Sequence, residues 1–140
     1  MTDPGLALQG AIVGALKRDG VVRSWLGDRV FDRAPATAAF PHAEIAEVQV
    51  VDDGADGLEG AAEVFVTLDV WTRPADGSGK RDCEIIAGAI RDRLHLARLV
   101  LADDLDPAEI MHRDSRVFLD ADGITGHGVL VFRALVDPAT

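Results

Sequence analysis

An alternating run of apolar residues from Glu63 to Arg73 constrains the fold of this chain more than any other feature. Four aliphatic residues occupy every second position of the run: Val64, Val66, Leu68 and Val70. The positions between them hold Phe65, Thr67, Asp69 and Trp71. Because successive side chains of a β-strand point to opposite faces of a sheet, this spacing predicts a strand with one buried face. Such strands are typical of antiparallel sheets that are covered on one side.

A second strand is predicted from His42 to Val51. The alternation assigns Ala46, Val48 and Val50 to one face, and Ile45, Glu47 and Gln49 to the other. The residues between the two strands, Asp52 to Gly60, form a polar and glycine-rich segment. We therefore expect a long hairpin with a flexible loop at its tip.

Two helices are predicted on either side of this hairpin. The first begins at an Asp3 cap with Pro4 at the first helical position, carries an apolar face at helical spacing and stops at Gly20. Val21 to Leu26 can add a short helical turn. The second helix runs from Lys80 to Leu96, and its apolar stripe consists of Cys83, Ile86, Ala87, Ile90 and Leu94.

The C-terminal part predicts a second hairpin. Ile110 to Leu119 and Val129 to Val136 read as strands around an Asp-Gly turn at Asp120 to Gly123, and Leu99 to Leu101 as a short strand. The expected fold is therefore α+β, with a mainly antiparallel four-stranded sheet and two main helices on one face. The expected order is α-β-β-α-β-β, and we expect residues 1–140 to form a single domain.

Charge and cysteine content restrict the function. The net charge of −10 is the wrong sign for binding nucleic acid, where affinity comes mainly from cationic neutralisation of phosphates, and it disfavours anionic membranes. One cysteine, Cys83, allows no intrachain disulfide and suggests a reducing compartment. The apolar runs are too short to cross a bilayer, and no signal peptide is evident, so we expect a cytosolic, soluble chain.

The candidate chemical motifs are incomplete. Asp52, Asp56, Gly57 and Glu63 match four positions of a calcium loop, but Gly54 replaces a ligand and the flanks are strands rather than helices. Gly77 to Lys80 lacks the first glycine and the final Ser or Thr of a phosphate-binding loop. Cys83 lies on an apolar helix stripe, which indicates a buried small hydrophobe. We expect no catalytic residue, no cofactor and no bound metal.

Two segments are candidate contact surfaces instead. The connector from Gly27 to Pro41 is long and irregular, and it holds the apolar anchors Val30, Phe31 and Phe40. These anchors either meet a partner or cover the core of their own subunit. The hairpin loop offers a second candidate surface, at Asp52, Asp53, Asp56, Leu58 and Glu59. The alternative interpretation is that this hairpin loop is simply solvated and contacts no partner.

An ordered set of short segments carries a family resemblance. Leu26 to Asp32 and Ala34-Pro35 follow the first helix, and Phe40-Pro41-His42 opens the first strand. Leu68 to Thr72 closes the second strand before the glycine-rich turn and the helix Cys83 to Leu94. Asp120 to Gly123, His127 to Val129 and Phe132 to Leu135 complete the set. Taken together, the chain resembles the tail terminator, or tail completion, proteins of long-tailed bacteriophages and gene transfer agents.

This resemblance implies a subunit that forms a hexameric ring with copies of itself at the head-proximal end of a tail tube. The ring would end tube polymerisation, join the tube to a head-side connector protein and let DNA pass without specific binding. The resemblance implies no enzyme activity, and it implies assembly in the bacterial cytoplasm followed by residence in a phage-like particle. Three alternatives remain: a stopper ring, a small-ligand-binding α+β module, or an enzyme that gathers His112, Asp114 and His127.

Overall fold

The computed structural model describes residues 2–52, 61–73 and 79–139. Three helices occur in the described residues: α1 (Pro4–Arg18), α2 (Gly20–Leu26) and α3 (Gly79–Leu94). The strands are β1 (Val30–Phe31), β2 (His42–Asp52), β3 (Ala62–Thr72), β4 (Arg98–Leu99), β5 (Ala108–Leu119) and β6 (Gly126–Val136). They form one sheet with the order β1-β2-β3-β6-β5-β4.

The α+β class and the mainly antiparallel sheet are confirmed, but the strand number and element order are corrected. The sheet has six strands rather than four, because β1 and β4 add a two-residue strand at each edge. β4 overlaps the short strand predicted at Leu99 to Leu101, whereas β1 was not predicted, because two residues are too few to show an alternation in the sequence. The β1–β2 pair is parallel, whereas the other neighbouring strands are antiparallel. The short turn at Val21 to Leu26 is a helix in its own right, α2.

Asp19 separates α1 from α2 and caps both helices. Its backbone N–H donates to the Ala15 and Leu16 carbonyl oxygens at the end of α1. Its carboxylate accepts a hydrogen bond from the Val22 N–H at the start of α2, at 3.0 Å. One residue therefore satisfies orphan backbone groups of two helix ends. The Asp3 carboxylate similarly accepts from the Leu6 N–H at 2.8 Å at the start of α1.

The core lies between the sheet and the helices α1 and α3. Every second residue of β3 from Ala62 to Thr72 is buried, and β6 shows the same pattern from Gly126 to Val136. The predicted stripe of α3 is fully or almost fully buried against them, which confirms that helix and its inward face. The helix ends two residues earlier than predicted, and Leu96 follows it with a φ of 63°.

A β-bulge corrects the predicted faces of β2. The register with β3 passes from Ile45 opposite Leu68 to Glu47 opposite Thr67, so Ala46 is an extra residue. Such an insertion reverses the alternation. As a result Ile45 lies on the same face as Val48 and Val50, which the simple alternation had placed on the opposite side. A second bulge lies between His112 and Asp114 of β5.

The sheet face opposite the helices, here called the open face, has no described helix packed on it. The residues of β3 and β6 on this face are half-buried. No described helix is both long enough and apolar enough to cross a bilayer.

Candidate interaction surfaces

A row of aromatic and imidazole rings crosses the open face at one end of the sheet. We call it the aromatic row: Phe31, His42, Trp71, His127 and Phe118. The last four are successive register partners across β2, β3, β6 and β5. The Trp71 and His127 rings stack at 3.8 Å, and Phe118 lies 4.9 Å from His127. Phe31 meets the His42 ring edge-on at 6.1 Å.

His127 is held in place by a carboxylate as well as by its neighbours' rings. Its Nε2 lies 2.9 Å from Oδ1 of Asp69, which is two residues from its register partner Trp71 on the neighbouring strand and on the same face. Both side chains are less than one-fifth exposed. The stack and this hydrogen bond together orient a ring that would otherwise rotate, so the aromatic row is a preorganised surface.

The connector splits into a buried part and an available part. Val30 is 1% exposed and belongs to the core, so its side chain cannot meet a partner. Phe31 and Phe40 are half-buried. The Arg73 guanidinium lies 4.4 Å from the centre of the Phe40 ring, a cation–π contact that extends the aromatic row.

Two polar contacts hold the connector in place, one between its two ends and one to β2. Arg29 Nε donates to the Pro41 carbonyl oxygen at 2.8 Å, and the Ala34 N–H donates to the Glu44 carboxylate at 2.9 Å. Because both ends of the segment are tied, the positions of Phe31 and Phe40 are set by the subunit itself.

The second predicted surface is largely outside the described residues. Asp52 is the last residue of β2. Asp53, Asp56, Leu58 and Glu59 fall outside the part of the chain that the structure describes, and their interface role stays a prediction. Most of the incomplete calcium loop and the start of the Gly77 to Lys80 turn also lie outside the described residues.

Cys83 is a buried core residue, as predicted. Burial raises the pKa of its thiol to about 12, so the thiolate is not populated near neutral pH. The Sγ lies 3.7 Å from the Val70 carbonyl oxygen, to which it donates. This environment gives the cysteine no nucleophilic role.

The histidines do not form a catalytic or metal-binding cluster. His112 is paired with Phe132 on β6, whereas His127 lies five residues further back on the same strand, roughly 16 Å away at strand geometry. The hypothetical site of His112, Asp114 and His127 therefore does not assemble. Within residues 2–52, 61–73 and 79–139, no group of three or more His, Cys, Asp or Glu side chains is placed to hold a metal ion.

His112 serves a structural contact instead. Its ring meets Phe132 edge-on at 5.6 Å, and its Nε2 lies 2.6 Å from Ser115 Oγ. Burial, together with the nearby Arg91 charge, lowers its pKa. The His112 N–H donates to Nδ1 of His95 at 3.0 Å, which ties the end of α3 to the bulge of β5.

Two depressions in the described surface bear on the ligand-binding alternative. A cleft of about 210 Å³ lies between α2, the connector and the end of β3, beside Trp25, Phe40 and Arg73. This is smaller than the usual 300–1,000 Å³ of small-molecule sites. A groove of about 360 Å³ along α1 is lined mainly by small and apolar residues, and it lacks a set of convergent polar groups.

Acidic side chains predominate on the open face. Directly opposed residues of neighbouring strands share a face, which places these acids there: Glu44, Glu47, Glu63, Asp69, Glu109 and Asp114. The arginines placed there by the same registers are Arg98, Arg116 and Arg133. Arg133 is paired with Glu63. The described part of the open face is therefore net negative.

The alignment of the aromatic row was not predicted from the sequence. Its members lie on four strands and the connector, and only the strand registers bring them to one level of the sheet. The available signal was the length of each hairpin. Counting outward from the predicted Asp120 to Gly123 turn pairs Phe118 with Thr125, two residues from its true partner His127, because the observed turn extends to Thr125.

Comparison with known proteins identifies a matching protein family and a solved structure with the same fold. The family model described as tail completion protein gp17 matches residues 10–137. A solved chain from a structure titled "Virion of native gene transfer agent (GTA) particle" superposes with a TM-score of 0.79 at 23% identity. The match covers 99% of this chain and 100% of that chain. No curated protein matches the sequence significantly.

Proposed function

Because this chain belongs to the tail completion protein gp17 family, we propose that it is a structural subunit of a phage-like tail and has no catalytic role. The family match over residues 10–137 is the observation that carries the proposal. The fold shared with a chain of a gene transfer agent virion, over the full length of both chains, supports it. Residues 1–140 would act as one such domain.

The proposed assembly is a ring of six copies at the head-proximal end of the tail tube. The ring would stop tube polymerisation and present a surface to the head-side connector protein. Its subunits would be made and assembled in the bacterial cytoplasm and would then remain in the particle at the head–tail junction. A head-side stopper ring is the second candidate within the same class.

The preformed surfaces suit such repeated contacts. The aromatic row and Phe40 offer ordered apolar area that needs little further ordering on binding, which lowers the entropic cost of association. Asp52, Asp53, Asp56, Leu58 and Glu59 are proposed as a second contact, with the neighbouring ring or the tube. Ordering a loop costs roughly 1–2 kcal/mol of conformational free energy per backbone residue. Many contacts are needed to offset this cost, and a sixfold ring would supply them because it repeats each contact.

DNA would pass through the ring along the part of the open face beyond the aromatic row, which lies at one end of the sheet. In a closed ring the outer layer has the greater circumference, and the helices that cover the other face of the sheet would form that layer. The sheet would then line the bore. The acids of the open face would repel phosphates and keep passing DNA from adhering. No cofactor or metal takes part in this proposal.

The test measures the mass of the protein in solution, alone and with polymerising tail-tube protein, while tube length is followed by electron microscopy. Tubes of limited length with a sixfold ring at one end would establish the terminator role. A ring that binds only the head-side protein would indicate a stopper. A monomer that ignores the tubes but melts at higher temperature with a small ligand would support the ligand-binding module instead.

A further inference from the structure

Both long edges of the sheet are open over part of their length. β1 pairs with β2 only at Ala43 and Glu44, so the edge from Ile45 to Val51 has no strand of the described residues beside it. β4 pairs with β5 only at Ala108 and Glu109, and the backbone bonds of Leu96 and Ala97 extend this cover to Ile110. The β5 edge from Arg113 to Leu119 has no described strand beside it. Open edges of this length offer unpaired backbone groups to another strand.

We propose that the β5 edge of one copy pairs with the β2 edge of the next copy, so that the sheet continues from subunit to subunit around the ring. This inference rests on the proposed ring and names the surface that would close it. The two edges are different surfaces, and a heterologous contact of this kind closes a ring when its rotation allows.

Strand direction permits this pairing under rotation. The four long strands β2, β3, β6 and β5 are neighbours and alternate in direction. With four alternating strands, β5 runs antiparallel to β2 of its own subunit. A rotated copy therefore presents its β2 antiparallel to β5, which continues the pattern of the sheet without a break.

The charges of the two edges favour pairing of a β2 edge with a β5 edge over pairing of two identical edges. β2 carries three acids, Glu44, Glu47 and Asp52, and no Lys or Arg, whereas the open part of β5 carries Arg113 and Arg116 with one acid, Asp114. Pairing two β2 edges would oppose acids, and pairing two β5 edges would oppose arginines. Like charges that face each other across strands are destabilising, and unlike charges are favourable.

The apolar side chains also reach both edges. Ile45 and Val48 on β2 and Val117 on β5 pack against the core but stay partly exposed. The side chains of Val50 and Leu119 are each 44% exposed. Edge-to-edge pairing would bring these half-covered margins together and make one continuous core around the ring.

The short strands β1 and β4 select the register. β1 covers the start of β2, and β4 covers the start of β5, which lies at the opposite end of the sheet. The free parts of the two edges therefore face each other only if one copy is shifted by about four residues along the strands relative to its neighbour. In that register Val117 opposes Val48, Leu119 opposes Ile45, and Arg116 lies diagonal to Glu47. The shift is ~13 Å over a sheet width of ~19 Å for four strands, which is a tilt of ~35°. Strands of closed barrels tilt by about 35–45°.

A disulfide test reads this register directly. Val117→Cys and Val48→Cys are combined in one chain, whose two new thiols lie at opposite edges of one sheet and cannot meet within a subunit. We expect oxidation of the assembled ring to give covalent multimers up to the full ring in denaturing gels. The matched control combines Leu119→Cys with Val50→Cys, which are more exposed than the test pair but lie about 13 Å apart in the proposed register. We expect this control to give no ladder.

A charge exchange gives an independent readout. Arg116→Glu and Glu47→Arg should each weaken ring formation at least tenfold, whereas the double exchange should recover most of it, with circular dichroism showing that each variant folds. Suppose that the wild-type protein forms rings but only the control cysteine pair cross-links, neither pair cross-links, or both charge variants form rings as well as the wild type. Any of these results would overturn the edge pairing and leave the proposed function standing. A wild-type protein that forms no ring even on tubes would overturn both.

Discussion

Gly126 shows how closely one residue can bring a helix to a strand. A Cβ at this position would collide with the Gly79 carbonyl oxygen and with Thr72 Oγ1, where α3 begins against β6. Thr72 Oγ1 already donates to that carbonyl at 2.6 Å in a fully buried contact. The space beside the Gly126 Cα accommodates only a hydrogen atom, because the Gly79 carbonyl belongs to the backbone and cannot rotate away as a side chain could.

We expect Gly126→Ala to destabilise the protein by about 3 kcal/mol, since α3 must shift away from the sheet. Urea denaturation measures the change in the free energy of unfolding. The matched control is Gly10→Ala in α1, where a Cβ meets nothing within 4 Å. That change should stabilise by about 0.5–1 kcal/mol through helix propensity. Equal effects of the two substitutions would contradict the packing argument.

Asp122 gives the β5–β6 turn a pH-dependent contact. Its carboxylate accepts hydrogen bonds from the Thr125 hydroxyl at 2.6 Å and from the Ile124 and Thr125 N–H groups. The bonds from Thr125, then that from Ile124, and the nearby Arg73 lower its pKa to about 2. An unperturbed aspartate has a pKa of about 3.9, so the folded state binds fewer protons between these values. The stabilisation is therefore present above about pH 4 and lost as the pH falls towards 2.

We expect Asp122→Asn to remove this part of the acid sensitivity, since an amide does not titrate. The melting temperature of the variant should fall less than that of the wild type between pH 4 and pH 2. Thermal melts at half-unit pH intervals measure the difference between the two curves. Parallel curves over that interval would show that the carboxylate contributes no pH dependence.

At the scale of elements, the clearest local signals come from caps and from long periodic runs. The apolar stripe of α3 and the alternation of β3 follow from neighbouring positions in the chain, and both agree with the structure. α2 is less evident because it has only seven residues. It depends on Asp19, which ends α1 and starts α2.

We expect Asp19→Ala to cost about 1 kcal/mol, because the Val22 N–H loses its acceptor. Asp19→Asn keeps an oxygen that can accept the same hydrogen bond, so most of the stability should remain. Chemical denaturation of both variants measures the effect. If Asp19→Asn lost as much as Asp19→Ala, the ion pair with Arg93, 3.8 Å away, would carry the stabilisation instead of the cap.

At the scale of the whole molecule, the net charge bears on the proposed passage of DNA. The chain carries 24 acidic residues against 14 basic ones, and the described open face is net negative. We expect the protein, alone or in the proposed ring, to show no measurable affinity for duplex DNA at physiological salt, since binding depends on phosphate neutralisation. Fluorescence anisotropy with a labelled duplex tests this. A micromolar dissociation constant would contradict a non-adhesive bore.

Local patterns were sufficient for part of the fold. The alternation of β3, the stripe of α3, the Asp3 cap and the burial of Cys83 could each be predicted, because the residues involved are close in sequence. The faces of β2 could not be predicted throughout. The bulge at Ala46 reverses the alternation, and only the pairing with β3 reveals it. The interface role of Phe31 and Phe40 remains a prediction, whereas Val30 is a core residue.

The sequence by itself determined the long helices α1 and α3, the four long strands, and the inward sides of α3 and β3, since helical and strand periodicities are local properties. Only the tertiary structure decided that β6 lies between β3 and β5, that the aromatic row lines up across the sheet, and that two edges stay open at opposite corners. These features depend on registers between residues far apart in the chain. Register is set by the packing of whole faces, and no short stretch of sequence encodes it.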